Sequence, residues 1–375
     1  MSSKDDKVYF PGLNFLRFLA ASIVIIYHTE LFKRYYPASY KLNDCLFLEN
    51  CGQMAVNFFF VLSGYLITYL LIVEKKKHKT VFIKYFYMRR ILRIWPLYYT
   101  VLTVGFVILY VFNENPHSIS NSSIVLYILI LPNLAGLFGQ DILISHLWSI
   151  GVEEQFYIIW PILIKCFNSV IKVCIVFISF FVILNISIWS AHKLNLYDSD
   201  FLVGLLRLLQ GIRMHCLVIG AIGAYLFYTQ HASLKFIYHP VSQFVSYGFT
   251  AYMLFSNFRF PAINNEIYCF FFVIILLNIS TNPKSFFKLE YSWTGFFGKI
   301  SYGMYMYHAF AIKMTLYIFT IYFKNTLDSF LSNIFCHLFA IGATMLFASC
   351  SYFFVEKKIL KFKNKFSKIE SISAR

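Results

Sequence analysis

Charged residues are scarce in this sequence: they make up 13% of its 375 positions, whereas 59% are hydrophobic. Soluble globular domains carry about one quarter charged residues, so this scarcity excludes an ordinary soluble protein. Apolar runs of about twenty residues, long enough to cross a hydrocarbon core of roughly 30 Å, recur along almost the whole chain. The sequence therefore predicts an all-α polytopic membrane protein.

Metal-binding patterns are missing as well. The eight cysteines form no CxxC pair and no His/Cys spacing suited to zinc, so no metal site is predicted. Most of them lie in apolar runs, as Cys174, Cys216 and Cys269 do, and are interpreted as packing residues. Cys45 and Cys51 share a polar loop, and a disulfide between them stays open if that loop faces an oxidising compartment.

Acidic residues are half as frequent as basic ones, with 17 Asp and Glu against 33 Lys and Arg and a net charge of +16. Such an excess could suit a nucleic-acid partner. However, the basic residues cluster in short segments between apolar runs, which is the distribution that sets membrane topology and contacts lipid headgroups. We therefore predict membrane lipid as a partner and no nucleic acid.

The spacing of apolar runs predicts three regions: a cytoplasmic N-terminus at 1–10, a transmembrane domain at 11–356 and a basic cytoplasmic tail at 357–375. Because no small-residue cleavage site follows the first run, we predict that it is a retained helix. An additional run at 123–132 is short for a crossing and is interpreted as a surface or re-entrant helix. About ten spans are predicted, at 11–30, 54–73, 93–112, 147–167, 172–190, 205–228, 240–256, 265–279, 299–322 and 334–356.

The orientation of these spans follows from the basic residues. With the N-terminus inside, most of the lysines and arginines between spans lie on the cytoplasmic side, as the positive-inside rule requires. Both termini are therefore predicted to be cytoplasmic.

Two ionisable residues of the first span are the strongest functional markers. A charge at mid-bilayer costs about 3 kcal/mol on insertion scales, so it needs a partner or a wet cavity. Arg17 and His28 are eleven residues apart, which on a helix is about 20° of rotation and roughly 16 Å of rise. Considered alone, Arg17 could extend its charge to the inner membrane interface, and His28 could form an interhelical hydrogen bond that only supports packing. On one shared face they predict a polar crevice, with His28 near its outer end.

The fourth span adds a second polar group. His146, Ser149 and Glu153 are spaced to share one helical face. A carboxylate beside an imidazole can fix its tautomer and raise its basicity, as a general base needs, although a buried structural His/Glu pair would have the same pattern. Further candidates are Ser301, Tyr305 and His308 on the ninth span, Arg207, Arg213 and His215 on the sixth, and Ser63 with Gly64, which alone would indicate helix packing.

Arginines at the start of the third span could bind phosphate. Arg89 and Arg93 are spaced i, i+4, and paired guanidiniums suit bidentate phosphate binding. Stop-transfer and lipid anchoring would explain the lysines beside them equally well.

Six sequence blocks, in order, resemble those of the acyltransferase family 3 membrane proteins. They are PGLNFLRFLAASIVIIYH, FFFVLSGYLIT, YMRRILRIWPLYY, HLWSIGVEEQFYIIWP, GKISYGMYMYH and FFVEKK. This family O-acetylates bacterial surface glycans and some small molecules. The resemblance covers nearly the whole chain.

The resemblance implies transfer of an acetyl group from cytoplasmic acetyl-CoA to a hydroxyl of a glycan at the outer face of a bacterial cytoplasmic membrane. Lipopolysaccharide O-antigen, capsule and exopolysaccharide are the glycans expected. His28 would match the family's essential histidine, Arg17 its partner, and Arg90 and Arg93 the Arg-x-x-Arg pair that meets the donor. Other family positions are matched by Ser63, Gly64, Trp148, Ser149, Glu153 and His308.

Some features depart from the family pattern. Asn14-Phe15 stands where many members have a second small or acidic residue, and Tyr307-His308 where Trp-His is commoner. Only a lysine-rich tail at 357–375 follows the last span, so the sequence resembles a stand-alone member without the esterase-like domain. A transporter or flippase could use the same intramembrane His, Glu and Arg, but it would usually show an internal repeat, and none is seen.

Overall fold

The computed structural model describes residues 7–35, 46–111, 119–139, 141–194, 211–256, 258–260, 263–322, 329–366 and 370–371. Cys45 and Arg207 lie outside these ranges. The helices within them are α1 Leu13–Lys33, α2 Leu46–His78, α3 Ile83–Val111, α4 Asn121–Ile128, α5 Pro132–Ala135, α6 Ile142–Ser145, α7 Trp148–Cys166, α8 Val170–Lys193, α9 Met214–Tyr228, α10 Leu234–Ile237, α11 Pro240–Phe255, α12 Asn264–Thr281, α13 Thr294–Tyr322, α14 Phe330–Ser351 and α15 Lys357–Lys363.

Among the described residues, six helical segments are long and apolar enough to cross a membrane. They are Leu13–Lys33, Asn50–His78, Ile83–Val111, Val170–Ala191, Asn264–Thr281 and Phe330–Phe362. A multi-pass helical architecture follows from them, whereas the count of ten and the orientation stay predictions. The run predicted at 123–132 overlaps α4, whose eight residues rise only about 12 Å and cannot cross a bilayer.

The third helix begins ten residues earlier than predicted. It starts at Ile83, directly after a four-residue link from α2, and the Glu74 carboxylate closes this link by accepting the Phe82 backbone N–H at 2.8 Å. Arg89, Arg90 and Arg93 therefore all lie within this helix, as the i, i+4 spacing of Arg89 and Arg93 assumed, although Arg89 and Arg90 precede the predicted span. The hydropathy boundary was misplaced because arginine is a good helix former that hydropathy counts as a break.

A short β-contact modifies the all-α prediction. Within the described part of the chain, Lys7–Val8 pairs in parallel with Glu370–Ser371. A left-handed Gly12 then leads into α1, and its backbone N–H donates to Glu290 at 2.8 Å.

The contact between α2 and α9 rests on two glycines. A Cβ on Gly64 would lie 1.8 Å from the Leu217 carbonyl oxygen, and one on Gly220 would lie 2.1 Å from that of Val61. Small residues at such a crossing let two backbones approach closely. These contacts agree with the interpretation of Gly64 as a helix-packing residue. A contact with a substrate is therefore not needed to explain a glycine at this position.

We expect Gly64→Ala to destabilise the protein by about 3 kcal/mol or more, because the new methyl meets backbone that cannot rotate away. The measurement is the thermal unfolding midpoint of the detergent-solubilised chain. Gly248→Ala is the matched control, since no atom lies within 4 Å of the added Cβ there. Equal midpoints for the two variants would contradict the proposed role of the close crossing.

Candidate active site

A cavity of about 410 Å³ lies among α1, α2, α3, α7, α13 and the segment that follows α14. Its walls combine aromatic rings with polar side chains, and its charged lining residues are Arg17, Arg90, Arg93, Lys299, Glu153 and Glu356. Basic groups outnumber acidic ones, so the cavity suits an anionic ligand. Tyr9 lies at its edge and donates to Glu290; burial, followed by that carboxylate, raises the pKa of Tyr9.

Three of these side chains, Arg17, Arg90 and Arg93, form what we call the arginine cluster. Arg17 donates to Asn14 at 3.3 Å, and the Arg90 guanidinium lies over the rings of Phe86 and Tyr157, 5.5 and 5.6 Å from their centroids. The buried Nε of Arg90 has no hydrogen-bond partner. No carboxylate of the described residues lies within ion-pair distance of the cluster. Its N–H donors are therefore available to a ligand.

Arg89 is separate from this cluster. It contacts Glu74 at 3.3 Å and donates to the Phe366 carbonyl at 2.7 Å. Adjacent helix positions are rotated by about 100°, so Arg89 and Arg90 cannot share one face. The pair that lines the cavity is Arg90 with Arg93, as the resemblance implied, rather than Arg89 with Arg93, which the i, i+4 spacing suggested.

The expected contact between Glu153 and a histidine is not observed. Glu153 lines the cavity and accepts a hydrogen bond from Ser63 at 2.7 Å. His146 precedes α7 instead of sharing its face, and its ring is directed to α13, where Nε2 meets the Met306 carbonyl at 3.1 Å. The helical-face prediction was wrong for His146, because the helix starts only at Trp148.

Three histidines from three helical segments meet instead, and we call them the histidine trio: His28, His146 and His308. The ring of His308 lies 4.6 Å, centroid to centroid, from each of the other two. His146 and His308 are buried, with 2% and 0% of their surface exposed, whereas His28 is half-buried. Only His28 is therefore accessible to a reactant.

Backbone carbonyls determine the tautomer of each ring. Nδ1 of His28 meets the Val24 carbonyl at 2.9 Å, and Nδ1 of His308 meets that of Tyr305 at 2.5 Å. A carbonyl only accepts, so the facing nitrogen of each neutral ring carries the proton and the other carries a lone pair. No described residue bonds to Nε2 of His28, which is left as a proton acceptor.

Tyr305 connects the trio to the cavity. Its hydroxyl donates to the His146 carbonyl at 2.8 Å, so the Ser149 hydroxyl, 2.6 Å away, donates to it in turn. The Tyr305 ring lies 5.6 Å from His308, and both Tyr305 and Ser149 line the cavity. The three histidines are not among the lining residues, so the trio lies behind Tyr305 in the wall of the cavity that holds the arginine cluster.

The profile of the family described as "Acyltransferase domain", acyltransferase family 3, matches residues 10–354. The chain belongs to this family. No solved structure matches it.

Three relatives of this acyltransferase family 3 chain are named as O-acetyltransferases. The peptidoglycan O-acetyltransferase OatA of Listeria monocytogenes is 30% identical over 46% of this chain and 26% of its own length. A provisionally named O-acetyltransferase of Staphylococcus aureus strain COL is 25% identical over 94% of this chain and 58% of its own. The provisionally named peptidoglycan O-acetyltransferase YrhL of Bacillus subtilis is 34% identical over 41% and 23%. The chain thus spans less than two thirds of the length of these relatives.

Among the lining residues that were not predicted as site residues, Tyr157 and Glu356 have polar side chains. Glu356 ends a one-turn π-helix at Tyr352–Glu356, a distortion that occurs often at functional sites, and it accepts from Ser351 at 3.1 Å. The FFVEKK block contains this carboxylate. Because Glu356 is the last residue of the predicted span 334–356, the sequence indicated the end of a helix there and not a residue directed toward the cavity.

Proposed function

We propose that this acyltransferase family 3 chain is a membrane O-acetyltransferase, which moves an acetyl group from acetyl-CoA to a hydroxyl of a cell-envelope glycan. One observation carries the proposal: an arginine cluster without carboxylate partners lines the cavity, and Tyr305 in the cavity wall contacts the histidine trio, in which Nε2 of His28 bonds to no described residue. Guanidiniums without carboxylate partners suit phosphates, and a neutral imidazole with a free lone pair suits proton transfer.

The chemistry of the cavity fits acetyl-CoA as donor. Arg90 and Arg93 would hold its phosphates, and the donor's thioester supplies an activated acetyl group. The aromatic and aliphatic lining, with Phe59, Leu62 and Tyr305, suits the uncharged part of a long donor. A cytoplasmic position of the arginine cluster, as predicted from the basic residues, would let the donor bind from inside a bacterial cytoplasmic membrane.

In this mechanism His28 is the general base. Its Nε2 takes the proton of the acceptor hydroxyl as that oxygen attacks the thioester carbonyl of acetyl-CoA. The C–S bond then breaks, the acetyl group stays on the acceptor oxygen, and the imidazolium gives its proton to the departing CoA thiolate. Arg17, which lies on the same face of α1 about 16 Å away by helical rise, adds positive potential at the cavity end. Glu153 acts in the cavity through Ser63 rather than on His28.

The acceptor class is proposed from the relatives, two of which are named for peptidoglycan. Peptidoglycan is therefore the first glycan to test, ahead of the O-antigen, capsule and exopolysaccharide that the resemblance suggested. In each case the glycan would reach His28 from the outer face of the membrane.

The test uses the full chain, purified in detergent and supplied with acetyl-CoA labelled in the acetyl group. The acceptor panel contains peptide-free peptidoglycan strands, an acidic capsule polysaccharide and a neutral O-antigen. We expect label on at least one glycan, released by mild alkali as an O-ester would be. Label at the level of mock-purified membranes for every glycan would overturn the proposed function.

A further inference from the structure

A second basic residue near the histidine trio has no role in this mechanism. Arg213 precedes α9, and its guanidinium lies 5.1 Å from the centroid of the Trp148 ring. Trp148 opens α7, two positions after His146. Arg213 therefore lies beside the start of α7, next to the turn that carries His146 of the trio.

No described residue forms an ion pair or a hydrogen bond with Arg213. Glu266, an acidic group near Arg213, is already engaged: it accepts from Asn185 at 2.9 Å and lies 3.3 Å from His215. A half-buried cation without an ion-pair partner is costly in a membrane protein, which indicates a functional role for Arg213.

Trp148 holds the Arg213 guanidinium without using its donors. A cation–π contact uses the face of the guanidinium, so the N–H groups at its edge remain free. The indole itself packs edge-on against Phe60, 5.9 Å between centroids, which fixes its position. The result is an oriented, planar set of donors that matches a carboxylate or a phosphate.

We propose that Arg213, oriented by Trp148, binds an anionic group of the acceptor glycan and makes this enzyme selective for acidic acceptors. The inference rests on the proposed function and deepens it by naming the acceptor's charge. Gly211, where a Cβ would lie 3.6 Å from the Asn133 carbonyl, brings the start of α9 against α5. This places the arginine beside α5.

The same guanidinium could bind the phosphate of a lipid headgroup, and the experiment separates the two sources. It uses a panel glycan that the wild type acetylates, in its acidic form and after conversion of its carboxylates to methyl amides. Both are assayed in phospholipid-free maltoside micelles and in phosphatidylglycerol vesicles. The variants are Arg213→Gln, Arg213→Lys and, as matched control, Lys193→Gln, which removes a cation lying 5.2 Å from the Trp189 ring on α8.

We expect Arg213→Gln to raise the KM for the acidic glycan about ten- to a hundredfold, in micelles as well as vesicles. The kcat, the KM for acetyl-CoA and the use of the amidated glycan should not change, and Arg213→Lys should be intermediate. Lys193→Gln should behave as the wild type.

The inference would be overturned if Arg213→Gln changed the KM for the acidic and the amidated glycan equally. It would also be overturned if the wild type acetylated only neutral glycans. An effect seen only in vesicles, and shared by Lys193→Gln, would assign the charge to lipid headgroups. If the wild type acetylates no glycan, the proposed function fails and the inference with it. If the wild type acetylates the acidic and the amidated glycan equally well, the proposed function stands and only the inference fails.

Discussion

Replacement of His28 by glutamine is expected to lower the rate of acetyl transfer about 10³-fold, in the range that removal of a general base produces. Glutamine is a close replacement for packing, because its amide N–H₂ can still donate to the Val24 carbonyl that now accepts from Nδ1 of His28. Its amide, however, does not take up a proton at neutral pH. The loss should therefore appear in kcat, with the folded amount and the KM for acetyl-CoA nearly unchanged.

The measurement is the transfer of labelled acetyl groups by equal amounts of purified wild type and variant. His231→Gln is the control, since His231 is exposed and bonds only to the adjacent Ser233. A His28→Gln variant whose rate stays within about tenfold of the wild type would exclude His28 as the base and leave the free lone pair without a catalytic role.

Helical periodicity was sufficient to predict the part of the site that lies on one helix. Arg17 and His28 share a face of α1 over three turns, and the structure places Arg17 in the cavity and His28 in the trio beside it. The same holds for Arg90 with Arg93 on α3. Within one regular helix, sequence spacing determines direction, so these predictions needed no tertiary information.

Contacts between helices were not predictable in the same way. In the trio, His146 contacts His308, which lies 162 positions later in the chain. His146 belongs to the turn before α7, whereas His308 lies on α13. Glu153 was expected beside a histidine and instead accepts from Ser63 on α2, because α7 begins two residues after His146 and rotates the carboxylate toward the cavity. Helix starts and crossing points decide such contacts, and hydropathy locates them only within several residues.

Substitution of Arg90 or Arg93 by glutamine is expected to raise the KM for acetyl-CoA about ten- to a hundredfold each, as the loss of a charge-assisted contact to phosphate would. Neither side chain has an ion pair within the described residues, so removing its charge leaves no protein carboxylate unpaired. The folded state should therefore tolerate both changes. The KM for the glycan should not change, because the acceptor binds at the other end of the site.

Arg89→Gln is the matched control, one position from Arg90 and with the opposite expectation. Arg89 is paired with Glu74, a carboxylate only 2% exposed, and it donates to the Phe366 carbonyl. Its removal leaves a buried carboxylate without its cation, which costs about 3–5 kcal/mol of stability. We therefore expect a lower unfolding midpoint with an unchanged KM for acetyl-CoA in the protein that remains folded. An equal rise in that KM for all three variants would mean that the cluster acts through overall positive potential, and that the separation of Arg89 from Arg90 and Arg93 has no bearing on donor binding.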